Sequence, residues 1–489
     1  MKIQHSVTAA ILVSVTVLGG CGTMMANNKD MKSARLHLQA GDVSAALAAG
    51  RKRDDLCGIL DRAVLLHIQG NPAASNAEFD RGLALIKTYE DRAVVSANEV
   101  GRGAGSVLLN DKTLEYQGEG FEKVLIHAFK AQNYLMMGDE EGARVEIRNA
   151  NMRQDEERRK HAEEIEAAKA EAGKQNLASF DDKVNNAFAS SSSVLSRIDN
   201  VYQNPFATYL SGVVYEINGE LDDAFLDFKN AYQMVPSPLI ASDLSRLAAR
   251  LQRQDELREL GIPLVQGPSN VGDTLVVLDD GLAPARAQLK FPIPAGNTVA
   301  AVAVPITEPV PSNLGEAVIL DQAGNEIGRT SMLVDIEAMS VRNLHDRYPA
   351  ILTRQAIRLA AKIAASNAAV AAAAQHSAEA KVLTQLFTSI GNVASEQADL
   401  RAWYQLPRSI HVARISVPTG QSSVTMRLLD LAGVPMRDVE VPVISAGGPL
   451  SVVGLRYLNG QAIALAPAQS PIASTAGGEM VAANLETTP

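Results

Sequence analysis

Residues 205–238 read PFATYLSGVVYEINGELDDAFLDFKNAYQMVPSP, and the architecture of the first half of the chain follows from them. Apolar residues recur at spacings of three and four on both sides of Gly219, a pattern typical of two amphipathic helices joined by a turn. Small residues at Gly212 and Ala224 would let the helices approach closely, and the rings of Tyr215 and Phe228 would fill the space between them. The stretch therefore predicts an antiparallel pair of helices.

This pair of helices resembles the tetratricopeptide repeat. The matching positions are Gly212, Tyr215, Gly219, Ala224, Phe228, Ala231 and Pro236. A second unit at 124–157 matches at Ala131, Tyr134, Gly138, Ala143 and Ala150. Weaker units occur at 56–89 and around 40–42. Because such repeats stack into a curved solenoid with a concave binding surface, we predict an α-helical, tetratricopeptide-like repeat domain over residues 36–260.

Between the two best units lies a segment of different composition. Residues 153–174 are rich in Glu, Lys, Arg and Ala, and four serines occupy 190–193. Oppositely charged neighbours suit a solvated helix and serine-rich stretches suit linkers, so we predict an exposed charged helix and a linker over 153–195. A coiled coil that docks a partner is the alternative interpretation of the charge run.

The second half of the chain has the composition of a β-rich domain. After Gly261, prolines separate short β-branched runs, which predict strands at 274–278, 298–304, 317–320, 331–334, 410–417, 423–429, 439–444 and 452–458. Alanine-rich stretches at 351–375 and 378–397 predict helices between these two groups of strands. The predicted fold class is therefore α+β, with a β-rich domain at 261–467 that carries a helical insertion at 338–406. The composition of residues 468–489 predicts a disordered tail.

The N-terminus carries the most specific signal in the chain. A basic start at Lys2 precedes an apolar stretch from Val7 to Leu18, and the sequence LGGC at 18–21 closes it. This arrangement resembles the lipobox of bacterial lipoproteins, which implies a signal peptide at 1–20, lipidation of Cys21 and a multiply acylated amino terminus. We expect residues 21–35 to form a tether. Gly22, where inner-membrane lipoproteins often carry Asp, favours the outer membrane.

Composition and residue spacing argue against several classes of function. The net charge of −10 argues against nucleic acid as a partner, because phosphate binding needs a clustered basic surface. The eight histidines show no metal-ligand spacing, and no Gly-x-Ser-x-Gly nucleophile motif occurs. We therefore expect no catalytic residues, no metal and no cofactor apart from the lipid on Cys21. With Cys21 lipidated, Cys57 is alone, and its apolar neighbours predict a small core residue.

Two groups of polar residues are candidates for binding. Arg354, Arg358 and Lys362 are four residues apart and share one helical face, where they could meet anionic lipid headgroups, anionic glycan or an acidic partner. Pairing with carboxylates such as Asp346, or with a strand edge, is the alternative. A second group, which includes Tyr116, Glu119 and Glu122, precedes an apolar helix and either caps that helix or lines a groove.

Several segments together resemble a family of uncharacterised proteobacterial lipoproteins with tetratricopeptide repeats. They are Leu109–Asp111, Tyr116, Gly118–Glu119, Phe121–Lys123, Tyr134–Leu135, Gly138–Asp139, Ala143–Arg148, Asp280–Pro284 and Asp399–Trp403. The resemblance covers most of the mature chain. It implies no activity, but members of this family accompany lipoproteins similar to penicillin-binding-protein activators or to the curli secretion channel, which points to envelope assembly.

These observations predict a scaffold or adaptor lipoprotein that is anchored in the outer membrane and faces the periplasm. Its helical repeats would bind envelope proteins, including other lipoproteins, and peptidoglycan is a further expected partner. Two alternatives stay open. One is a glycan- or peptide-binding module that uses the basic helical face, and the other is an envelope hydrolase whose site is assembled across domains.

Overall fold

The structure is a computed structural model that describes residues 30–99, 115–172, 191–264, 274–295, 298–309, 311–375, 397–418, 420–443 and 450–465. Cys21, the segment before it, and residues 468–489 lie outside the described residues. The predicted helix at 378–397 lies outside them as well, except for its last residue. Among the described helices, none is long and apolar enough to cross a membrane.

Helices make up the N-terminal half. They are α1 (30–39), α2 (Val43–Gly50), α3 (Leu56–Ile68), α4 (Pro72–Glu99), α5 (Gly120–Met136), α6 (Glu140–Ala172), α7 (Ser192–Leu195), α8 (Pro205–Ile217), α9 (Leu221–Met234), α10 (Pro238–Leu251) and α11 (Gln254–Glu259). The predicted charged helix is the second half of α6, which continues from the helix of the repeat unit without a break.

One turn recurs between successive helices. The pairs α1/α2, α3/α4, α5/α6 and α8/α9 each turn at a glycine with positive φ, namely Gly41, Gly70, Gly138 and Gly219. In each turn the residue after the glycine donates its N–H to a carbonyl five residues earlier, as Glu220 does to Tyr215 over 2.9 Å. Glycine is favoured here because a side chain makes the left-handed conformation costly. The structure therefore contains four helical pairs with the same turn.

Strands make up most of the C-terminal half. They are β1 (Thr274–Asp280), β2 (Ala285–Ala295), β3 (Thr298–Glu308), β4 (Leu314–Leu320), β5 (Glu326–Arg329), β6 (Ser331–Asp335), β7 (Ser409–Ile415), β8 (Ser423–Asp430), β9 (Pro435–Pro442), β10 (Ser451–Leu458) and β11 (Gln461–Leu465). A five-stranded sheet has the order β11-β10-β1-β7-β6, and a four-stranded sheet has the order β5-β4-β8-β9. The only parallel pair among these described strands is β1 with β10.

The helices and the two sheets form three layers. Strand β1 is buried on both faces, and its residues alternate between two cores. Leu275 and Val277 belong to the core shared with the helices, whereas Val276 and Leu278 belong to the core between the two sheets. This alternation is the two-residue period of a strand covered on both sides. The larger core therefore continues across position 260, where the sequence pattern changes.

A long helix, α12 (Ile336–Ala374), connects β6 to the second group of strands. It begins directly after β6 and passes through Pro349, so it starts earlier than the stretch at 351–375 indicated. The hairpin β2–β3 packs on it through a small core that includes Val302, Val304 and Tyr348. The Tyr348 hydroxyl donates to the Pro305 carbonyl over 2.8 Å. This contact holds the hairpin along the first half of α12.

Candidate functional site

The tetratricopeptide-like positions of the α8/α9 pair lie where the two helices meet. Ala224, Phe228 and Ala231 are fully buried. A Cβ atom on Gly212 would lie 2.6 Å from Cδ1 of Phe228, closer than carbon atoms can pack. Tyr215 is half-buried at the edge of the core, and Pro236 follows the end of α9. Gly212, Ala224, Phe228 and Ala231 hold the pair together and are buried, whereas Pro236 is exposed.

The α5/α6 pair is built in the same way. Ala131, Ala143 and Ala150 are buried, Tyr134 packs at the edge of the core, and Gly138 forms the turn. The polar side chains of α5 also point inward: Lys130 Nζ lies 2.6 Å from a carboxylate oxygen of Glu146, and His127 Nδ1 lies 2.8 Å from the other. The two pairs therefore have apolar contacts that the sequence predicted and buried polar contacts that it did not.

A groove of about 600 Å³ lies between these two pairs and the β6–α12 junction. We call it the amide groove, because six carboxamide side chains line it: Asn151, Gln154, Asn200, Gln203, Asn230 and Gln233. Three methionines, Met234, Met332 and Met339, line it as well. Its volume is within the usual range for ligand sites. Since its walls come from separate segments, no motif in the sequence indicated it.

Internal hydrogen bonds hold one wall of the amide groove in place. Gln154 Oε1 accepts the backbone N–H of Asn204 over 2.6 Å, which joins α6 to the start of α8. Asn200 Nδ2 donates to Gln203 Oε1, also over 2.6 Å. On the other wall, Asn230 is half-buried and Gln233 is exposed. One wall is thus preorganised, and the α9 side presents carboxamides at the opening.

The charges in the amide groove are mostly paired. Arg197 donates to Asp335 over 2.8 Å and to Glu337 over 2.9 Å, and Arg158 donates to Asp155 over 2.9 Å. Burial raises the pKa of Asp227, whose carboxylate accepts the Ser211 hydroxyl. Carboxamides donate and accept hydrogen bonds without a charge. The groove therefore suits an uncharged ligand with both donors and acceptors, such as a polypeptide backbone.

Three of the segments that carry the resemblance, Gly118–Glu119, Phe121–Lys123 and Asp399–Trp403, meet with Tyr116 at a second polar site, whereas Leu109–Asp111 lies outside the described residues. Glu119 caps α5 and forms a capping box with Glu122, so the capping interpretation of these residues is confirmed. Glu122 also accepts the Tyr116 hydroxyl over 2.6 Å and the Trp403 backbone N–H over 2.9 Å. The guanidinium of Arg401 lies 5.6 Å from the centre of the Tyr116 ring. The site joins the helical layer to the segment before β7.

Two arginines that the sequence analysis did not single out complete this site. Arg286 of β2 donates to Glu119 over 2.5 Å, and Arg347 of α12 contacts the other oxygen. Burial alone would raise the pKa of Glu119, but the charges of the two arginines hold it well below its usual range. Burial and the charge of Glu119 raise the pKa of Glu122. All of these carboxylate oxygens have protein partners, so the cluster has the character of a structural joint.

The three cations expected on one face of α12 differ in their surroundings. Arg354 is exposed, but Arg358 is 2% exposed, and the side chain of Lys362 lies outside the described residues. Asp346, the carboxylate suggested as a partner, accepts from Arg342 over 3.0 Å. Arg354 and Arg358 are four residues apart on α12, but the hairpin and the helices packed on α12 decide which side chains reach solvent. The expected exposed basic face therefore cannot include Arg358.

Three further reactive side chains, those of Cys57, His67 and His411, are buried. Cys57 is 1% exposed, and burial raises the pKa of its thiol well above the usual value. Burial lowers the pKa of His67 to about 4 and that of His411 to about 3, so both are neutral near pH 7. Within the described ranges, no group of three or more His, Cys, Asp or Glu side chains could hold a metal ion. No family model, curated protein or solved structure matched this chain.

Proposed function

We propose that this protein is an adaptor lipoprotein, anchored in the outer membrane through Cys21, that holds envelope proteins on the periplasmic side. The observation that carries the proposal is the amide groove between two helical pairs. A groove lined by carboxamides and methionines is suited to hold a polypeptide, because carboxamides match main-chain groups and methionine adapts to varied side chains. It is less suited to chemistry, since its charged side chains are mostly paired.

We further propose that the helical pairs are tetratricopeptide-like units. Four pairs with the same glycine turn support this, as do the small residues where the helices of the two best pairs meet. In this proposal the amide groove is the binding surface that the units and the β-rich half build together. The joint around Glu119 would then maintain the relative positions of the two halves.

Site-specific crosslinking in intact cells tests the binding surface. A photoreactive amino acid at Gln233, on the rim of the amide groove, should give discrete crosslinked bands with envelope proteins. The same amino acid at Gln322, an exposed residue of the β4–β5 turn, is the control and should give none of these bands. Identical patterns at the two positions would show that the groove is not the binding surface.

A substitution inside the groove gives this test a second readout. With the photoreactive amino acid kept at position 233, Asn230→Arg should abolish the crosslinked bands, because an added charge would have to lose water when a neutral segment binds. Gln322→Arg should leave the bands unchanged. Separately, Cys21→Ala should release the protein from the membrane fraction, and a cleaved form that stays in the membrane would contradict the anchor.

A further inference from the structure

Three exposed apolar side chains lie at one end of the molecule. Among the described residues, eight large apolar side chains are exposed, and three of them are Leu36 at 65%, Leu431 at 75% and Val434 at 56%. Leu36 is on α1, whereas Leu431 and Val434 form the tip between β8 and β9. These residues are far apart in the sequence, so their shared location has to be established from contacts.

A series of hydrogen bonds places the β8–β9 tip beside the C-terminal end of β1. The Ser312 hydroxyl donates to the carboxylate of Asp280, the last residue of β1, over 2.7 Å. The next residue, Asn313, accepts the backbone N–H of Leu431 over 3.0 Å. Because β10 runs parallel to β1, the β10–β11 turn is at this end too, and Arg437 donates to the Gly460 carbonyl there over 2.5 Å.

Helix α1 lies at the same end. Arg35 donates to the carbonyl of Ala283, three residues beyond β1, over 2.5 Å. The turn after α1 also reaches this end, since a Cβ on Gly41 would lie 3.6 Å from the side chain of Gln461. Leu36 and Lys32 are both exposed and are four residues apart on α1, so they share an outward face.

The proposed anchor is close to α1 in the sequence. Eight residues lie between Cys21 and Asp30, where α1 begins, and the nine residue-to-residue steps reach at most about 30 Å. The ten residues of α1 add about 15 Å before the turn at Gly41. The lipid on Cys21 and the β8–β9 tip can therefore lie in one membrane surface.

The tip itself is suited to an apolar environment. Its sequence from 431 to 436 is LAGVPM, without a charged side chain. Its backbone donors are already bonded: Asp430 Oδ1 accepts the N–H groups of Ala432 over 2.9 Å and Val434 over 2.8 Å, and the Asp430 carbonyl accepts that of Gly433 over 2.9 Å. Unbonded N–H groups would make transfer from water costly, so this arrangement lowers the cost of insertion.

We propose that Leu431, Val434 and Leu36 rest in the interfacial region of the bilayer that holds the Cys21 lipid, with Lys32 toward the headgroups. This inference rests on the proposed lipid anchor and adds a second, non-covalent contact with the lipid surface. This contact orients the protein, because the β4–β5 turn lies at the opposite end of the four-stranded sheet and then points away from the membrane.

An environment-sensitive fluorophore tests this orientation. The lipidated protein carrying Ala432→Cys would be labelled and reconstituted in vesicles of phosphatidylethanolamine and phosphatidylglycerol. Its emission should shift to the blue and brighten. Ala323→Cys is the matched control, because it is the exposed tip of the β4–β5 turn at the other end of the same sheet. The buried Cys57 should stay unlabelled.

The outcomes separate this inference from the proposed function. If the protein floats with the vesicles and the label at 432 is as water-exposed as that at 323, the anchor stands and the membrane-facing tip is overturned. If the protein does not float, the anchor and the inference fail together. As a second measurement, Leu431→Ser with Val434→Ser should weaken vesicle binding of the non-lipidated mature chain about tenfold, since apolar area is lost from the interface. Unchanged binding would overturn the inference.

Discussion

The substitution Gly212→Ala tests the packing of the α8/α9 pair with the smallest possible change. The new Cβ would lie 2.6 Å and 2.7 Å from two ring carbons of Phe228, about 1 Å inside ordinary contact. Phe228 is completely buried, and its ring centre lies 5.3 Å from that of Tyr209. The ring therefore has little room to retreat, and one of the two helices has to shift.

Two opposing effects decide the result. Overpacking of a filled core costs about 1–3 kcal/mol, whereas alanine in place of glycine inside a helix contributes about 1 kcal/mol. We expect a net loss of up to about 2 kcal/mol in the free energy of unfolding. At Gly50, the last residue of α2, no heavy atom lies within 4 Å of a new Cβ. Gly50→Ala should therefore stabilise the protein, by up to about 1 kcal/mol.

Urea unfolding followed by circular dichroism measures both variants, and a double-mutant cycle identifies the contact. Phe228→Leu alone creates a cavity, but in the Gly212→Ala background it also relieves the close contact. The two substitutions should therefore cost less together than the sum of their separate costs. If Gly212→Ala is as stabilising as Gly50→Ala, or if the two costs simply add, the close packing of Gly212 on Phe228 is refuted.

Three further predictions concern buried groups. Glu119→Ala should lower the free energy of unfolding by about 3–5 kcal/mol, because it leaves two arginines without their buried partner. The control, Glu326→Gln at an exposed ion pair, should leave the thermal midpoint unchanged. Equal effects of the two substitutions would contradict the role of Glu119 in a structural joint. Burial raises the pKa of Asp61 to about 7. Since the folded protein then holds a proton that the unfolded chain releases near pH 4, stability should fall as pH rises from about 4 to about 7, by up to about 4 kcal/mol, and Asp61→Asn should remove this dependence in urea titrations across that range. Cys57 should react with a thiol reagent at the rate of unfolding, and rapid labelling of the native protein would contradict its burial.

The helices and most strands were predictable from local patterns. The turn glycines and the small residues of the best two pairs mark the helices, and β-branched runs mark strands such as β1 and β10. Strand β2 was not predicted, because Pro292 and Pro294 argue against a strand. The two prolines are two residues apart, so their backbone nitrogens point to the same edge of β2. That edge can be the one away from β3, where a missing N–H group costs no hydrogen bond between the two strands.

The functional surfaces were less predictable than the elements that carry them. The capping role of Glu119 and Glu122 follows from their spacing, which acts within one helical turn. Their partners Arg286 and Arg347 are more than 160 residues away, and single arginines in a strand and in a helix carry no local signal. The amide groove carries no local sequence signal either, because its carboxamides come from several segments.

Hydrophobic period and turn glycines are local properties, and they were enough to predict an α+β chain and its helical pairs. The lipid anchor at Cys21 follows from the composition of the N-terminus alone and stays a prediction. The parallel pairing of β1 with β10, the core shared by helices and sheet, and the burial of Arg358 depend on which distant surfaces exclude water from each other. The spacing within a segment specifies one face of a helix or strand. Only the packing of the whole chain selects the surface that covers that face, and with it the side chains left to meet a partner or a membrane.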